Sequence, residues 1–97
     1  MPKITTKQEL IDYFAQKSQN THEGNSYIEA VVTLLMFLDE TDDIAEIKST
    51  VRRMHREKLA EIQRTEDIAT RVEQRKQLAV YDDCLTQLRG IPIIKED

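Results

Sequence analysis

Tryptophan is absent, cysteine occurs once, glycine and proline occur twice each, and aromatic residues make up only 5% of the 97-residue chain. Each shortage excludes something. The lone Cys84 rules out an internal disulfide and a multi-cysteine zinc site, and a single thiol suits a reducing compartment. With so little glycine there is no phosphate-cradling loop and no nucleophile elbow. The shortage of aromatics leaves a thin core for a single domain of this length. Excess positive charge is also lacking: the net charge is −4, so the chain as a whole is not built to wrap nucleic acid. The N-terminus has no basic-then-apolar order of a secretory signal, and a cytoplasmic location is expected.

No apolar run reaches bilayer length. The longest, Tyr27 to Leu38, has ten apolar side chains in twelve residues, against about 20 needed to span a membrane. It reads instead as a central core helix, buried on several sides or at an oligomer surface. Ser26 and Glu29 have the spacing of a capping box that would start this helix. Thr6 and Glu9 form a second such pair ahead of Leu10, Ile11 and Phe14, and residues 1–5 read as a short lead. Between these helices, residues 18–25 are polar and turn-rich, with His22 as a solvated loop side chain.

What is abundant is charge, at 33% of residues. Asp39, Glu40, Asp42 and Asp43 lack the glycine and glutamate of a calcium loop. They are better placed to cap the next helix, where unpaired amides carry partial positive charge. From Asp42 to Arg89 neither glycine nor proline interrupts the chain. Ile44, Ile47, Val51, Met54, Leu59 and Ile62 form one stripe. Ile68, Val72, Leu78, Ala79, Tyr81, Leu85 and Leu88 form another. Polar residues 63–67 separate them, and Thr65 before Glu66 and Asp67 resembles a helix start. A join at about 63–66 is therefore expected, with one continuous helix as the alternative. Both stripes step sideways, the first from Lys58 to Leu59 and the second from Ala79 to Leu78, which favours a globular bundle over a long coiled coil. Gly90 suits a left-handed cap, Ile91 can fold back on the last turn, and Pro92 ends the helix.

The expected fold is all-α, a single domain of about four helices near 7–18, 26–39, 42–63 and 66–89. The last two form an antiparallel helical hairpin, followed by a tail over residues 90–97. The expected core is Leu10, Phe14, Ile28, Val31, Val32, Leu35, Leu38, Ile47, Val51, Met54, Ile62, Val72, Leu78, Leu85 and Leu88.

Two surfaces invite binding. Lys48, Arg52, Arg53, His55, Arg56 and Lys58 form the one basic cluster, and Lys48, Arg52 and Arg56 share a helix face. No aromatic interleaves it, so base stacking there is disfavoured. Asp67 with Arg71 has the spacing of a balancing pair on the next segment. Ile91, Ile93 and Ile94 either pack back on the bundle or add to a partner's groove. His55 and Cys84 have no partners that spell out catalysis, and a helix-turn-helix reading of residues 7–38 fails because its second helix lacks a polar, base-reading face. Gly24-Asn25-Ser26-Tyr27-Ile28-Glu29-Ala30 resembles a helix start found in phage late-transcription coactivators. The likeness spans seven of the 97 residues, and no function is carried from it.

The expectation is a non-enzymatic, acidic interaction protein, without cofactor or metal, that binds a partner protein as adaptor, regulator or inhibitor. A homodimer is expected, because three other helices cannot cover Tyr27–Leu38 on every side. The alternative is a nucleic-acid-associated regulator using the basic face 48–58. The candidate contact residues are Lys48, Arg52, Arg53, Arg56, Ile91, Ile93 and Ile94.

Overall fold

The computed structural model describes residues 4–20, 22 and 24–91. Among these it contains four helices: α1 (Lys7–Asn20), α2 (Asn25–Glu40), α3 (Ile44–Arg64) and α4 (Ile68–Leu88). The chain is an all-α bundle, with the α3–α4 join at residues 65–67.

The helix starts follow local chemistry, with some shifts from expectation. At α1, the Glu9 amide donates to the Thr6 hydroxyl at 3.2 Å. The Glu9 carboxylate reaches back to Thr5 rather than to the Thr6 amide, accepting from the Thr5 hydroxyl at 3.1 Å and from the Thr6 hydroxyl at 3.0 Å. At α3 the acidic run caps as expected, with Asp43 accepting from the Ala45 amide at 2.9 Å. The cap of α4 is Asp67, not Thr65; it accepts from the Thr70 amide at 3.0 Å. Thr65 instead closes α3, its hydroxyl donating to the Glu61 carbonyl at 2.8 Å. The Ser26–Glu29 capping box does not form. Helix α2 begins one residue earlier, after Gly24 at φ 96°, without a side-chain cap. Positive φ is open to glycine at no Cβ cost, and Gly24 alone adopts it among the described residues. Gly90 is thus not left-handed; α4 ends in tight turns, Gly90 to Gln87 and Ile91 to Leu88, each 3.1 Å.

Helix α4 touches all three others, and α1 also packs on α2. The α3–α4 pair is antiparallel: Glu61 meets Gln74 near the join, and Lys48 meets Ile91 at the far end. The core is drawn from every helix: Leu10 and Phe14; Ala30, Val31, Leu34 and Leu38; Ile47 and Val51; Val80, Tyr81, Cys84 and Leu88, closed by Ile91.

Three expectations about burial need correction. Val32 and Val72 lie outside the core, at 45% and 49% exposure. Ile28, Leu35, Met54, Leu78 and Leu85 are only partly buried. Helix α2 is not enclosed all round, because it packs on α1 and α4 and leaves Val32 and Met36 outward. The stripes read from the sequence are not themselves the seams. On α4 the buried residues are Gln74, Val80, Tyr81, Cys84 and Leu88, with Leu78 and Leu85 half-buried, a broad inner face on a helix that touches all three others. On α3 Lys58 stays in line, half-buried, and donates to Glu61 at 3.1 Å, while Leu59 faces outward. Gln74 donates to the other oxygen of Glu61 at 2.9 Å, making a polar layer near the hairpin tip.

Candidate interaction surfaces

The basic face of α3 is narrower than the sequence implies. The Lys48 ammonium donates to the Ile91 carbonyl at 3.0 Å and so ties the turn after α4 to α3. Arg53 faces Glu57 at 3.9 Å, one helical turn on. His55 lies 3.7 Å from Asp82 across the hairpin. Arg52 and Arg56 are exposed with no acidic partner among the described residues. Lys48 and Arg52 line a cleft of about 130 Å³ with Leu85, Leu88 and Arg89. The structure therefore brings Arg89, at the end of α4, to a face that sequence reasoning confined to α3.

Ile91 is 3% exposed and belongs to the core. Contact with a partner through it would require the turn after α4 to open. Ile93 and Ile94 lie outside the described residues.

A second surface was not anticipated. Ile68 is 77% exposed and Val72, one turn later, is outward beside it. Arg71 and Arg75 flank them, and the four residues line a cleft of about 170 Å³. The Arg71 Nε is buried and has no hydrogen-bond partner, which leaves a charged donor group unsatisfied. The expected Asp67–Arg71 pair does not form, because Asp67 is engaged as the α4 cap. The signal in the sequence was the sideways step in the second stripe: Ile68, Val72 and Ala79 lie on the opposite side of α4 from Gln74, Tyr81 and Leu88.

The outer side of α2 carries the opposite charge. Met36 is 60% exposed, and Val32 lies one turn before it. Glu29, Asp39 and Glu40 are exposed around them.

The remaining chemistry-bearing groups serve the fold. Asp42 pairs with Lys7 at 2.7 Å, and this ammonium holds its carboxyl below the usual range. Asp83 accepts from the Tyr13 hydroxyl at 2.8 Å and from Lys17 at 3.0 Å, joining α1 to α4. Cys84 is fully buried; burial, aided by the Asp83 charge, pushes its thiol up to about 12. It is an apolar packing group rather than a thiolate nucleophile. Among the described residues no group of three or more His, Cys, Asp or Glu is placed to hold a metal ion, and no helix is long and apolar enough to cross a membrane.

The fold and surfaces define a small four-helix protein with two outward apolar stripes of opposite charge. Comparison with known proteins finds no matching family model, curated protein or solved structure.

Proposed function

We propose that this chain is a non-catalytic protein-interaction module, an adaptor, regulator or inhibitor that acts by occupying a partner through the outer face of α4. The carrying observation is the exposure of Ile68 and Val72 beside Arg71 and Arg75. Two branched aliphatics one helical turn apart are the anchors of helix-to-groove recognition, and arginines at the edge add orientation and faster encounter. A single buried thiol fits work in the cytoplasm.

The test is partner capture from extract of the native cell. Ile68→Asp with Val72→Asp should reduce recovery of a specific partner about tenfold or more, since truncating central anchors commonly costs over 1 kcal/mol each. Arg52→Glu with Arg56→Glu should leave recovery unchanged. Equal recovery by the α4 variant would remove the proposal.

A second reading rests on Arg52, Arg56 and Arg89, cations without acidic partners among the described residues. They would meet phosphates of a nucleic acid along α3. Binding by so few cations should have a shallow salt slope, about 0.9 per phosphate neutralised. A slope of that size, abolished by Arg52→Glu with Arg56→Glu, would favour this reading over docking through α4.

A further inference from the structure

The outer stripe of α4 and the outer stripe of α2 match each other in spacing and oppose each other in charge. Val32 and Met36 are four residues apart, as are Ile68 and Val72, so each pair is separated by about 6 Å of helix rise. Arg75 lies three residues beyond Val72. Asp39 lies three beyond Met36, and Glu29 lies three before Val32. With the two apolar pairs in contact, Arg75 therefore reaches a carboxylate whether the helices run parallel or antiparallel. Arg71, whose Nε has no partner, sits between the aliphatic anchors.

We propose that the α4 stripe of one copy docks on the α2 stripe of a second copy. Self-pairing of like faces is disfavoured. Two α4 stripes would set Arg71 and Arg75 against their own copies, and two α2 stripes would do the same with Glu29, Asp39 and Glu40. Like charges across an interface are costly, whereas opposite charges steer and register the contact. The stripes lie on different helices, so the contact is head-to-tail. It leaves one stripe of each kind unfilled at the ends and continues into a ring or an open chain. This inference rests on the reading of the α4 outer face as a docking surface, and it names the occupant.

The experiment uses the purified full chain in sedimentation velocity over a series of concentrations, with two variants. One blocks the α2 stripe, Glu29→Lys with Met36→Lys. The other blocks the α4 stripe, Ile68→Asp with Arg75→Asp. All four side chains are exposed, and far-ultraviolet circular dichroism checks that both variants keep the helical fold. The wild type should grow past the dimer as concentration rises and should weaken with salt. Each variant alone should be monomeric at concentrations about tenfold above those at which the wild type associates. Their equimolar mixture should form a 1:1 dimer and nothing larger, because each supplies the stripe that the other lacks.

A monomeric mixture overturns the proposal, as does a wild type that stays monomeric throughout. An α4-blocked variant that still dimerises also overturns it, in favour of a two-fold α2 contact. If the wild type is monomeric and yet Ile68→Asp abolishes partner capture from extract, the second copy is wrong as occupant and the broader docking function stands.

Discussion

Asp83 gathers donors from two helices. It accepts from Tyr13, Lys17 and Gln87, the last at 3.3 Å. Burial alone would lower the Lys17 pKa, but hydrogen bonds to Tyr13 and Asp83 outweigh it and raise the value. A lysine raised in the folded state contributes stability that is complete below its unfolded pKa and is lost only as pH rises through the folded value. The contribution is therefore intact at neutral pH. Asp83→Ala should cost about 1–2 kcal/mol in denaturant unfolding, because a partly buried ammonium and a phenol lose their acceptor while remaining partly open to water. Glu61 has the opposite sign. Hydrogen bonds from Lys58 first, then Gln74, hold its carboxyl below its ordinary value of 4.5. Its contribution is present above that value and is lost as pH falls through the folded pKa. The thermal midpoint should drop on acidification below about pH 4.5, and drop less steeply in Glu61→Gln. Cys84 should react with a thiol reagent only on unfolding, measured as labelling with and without denaturant. At this scale the sequence was uneven. Asp43 was legible because an acidic run before a stripe has one obvious electrostatic use. Ser26 was misleading because Gly24 starts the helix a residue sooner through a backbone conformation that no side-chain spacing records.

Helix α4 has apolar residues on two sides, and its short-range pattern does not tell which side meets the bundle. Ile68, Val72 and Ala79 look as good a seam as Leu78, Leu85 and Leu88. The choice is made by the three helices that α4 touches, which bury Val80, Tyr81, Cys84 and Leu88 and leave Ile68, Val72 and Ala79 outward. The hairpin itself was readable, since the 48 residues from Asp42 to Arg89 lack glycine and proline and the polar run 63–67, with helix-start residues in it, parts two apolar stripes. Gln74 was not readable as a seam residue, because only the observed phase places it there. It is 7% exposed, its amide donates to Glu61, and its Oε1 has no partner. Gln74→Leu should therefore raise stability by about 1 kcal/mol in denaturant unfolding. It removes an unsatisfied buried acceptor, while Glu61 keeps Lys58 and access to water. An unchanged or lower midpoint would mean that the amide sets the hairpin register, as isolated polar groups do in paired helices.

For the whole molecule, the unread feature was the uncovered side of α2. Its composition is that of an enclosed helix, yet α1 and α4 cover only the side bearing Ala30, Val31, Leu34 and Leu38. Coverage depends on where neighbouring helices sit, and hydrophobicity along one segment does not contain it. The ties between helices also differ greatly in how far they reach along the chain. Helices α3 and α4 are joined by residues 65–67, whereas Tyr13 and Asp83 are 70 positions apart. Bringing such distant segments together costs more chain entropy before any contact rewards it. The expected order of assembly is that the α3–α4 hairpin joins the folding nucleus and α1 closes on it after the barrier. In stopped-flow kinetics Val51→Ala should slow folding, whereas Asp83→Ala should leave the folding rate nearly unchanged and speed unfolding. The same aspartate that fastens the finished bundle would then govern how long the molecule stays folded, and not how quickly it gets there.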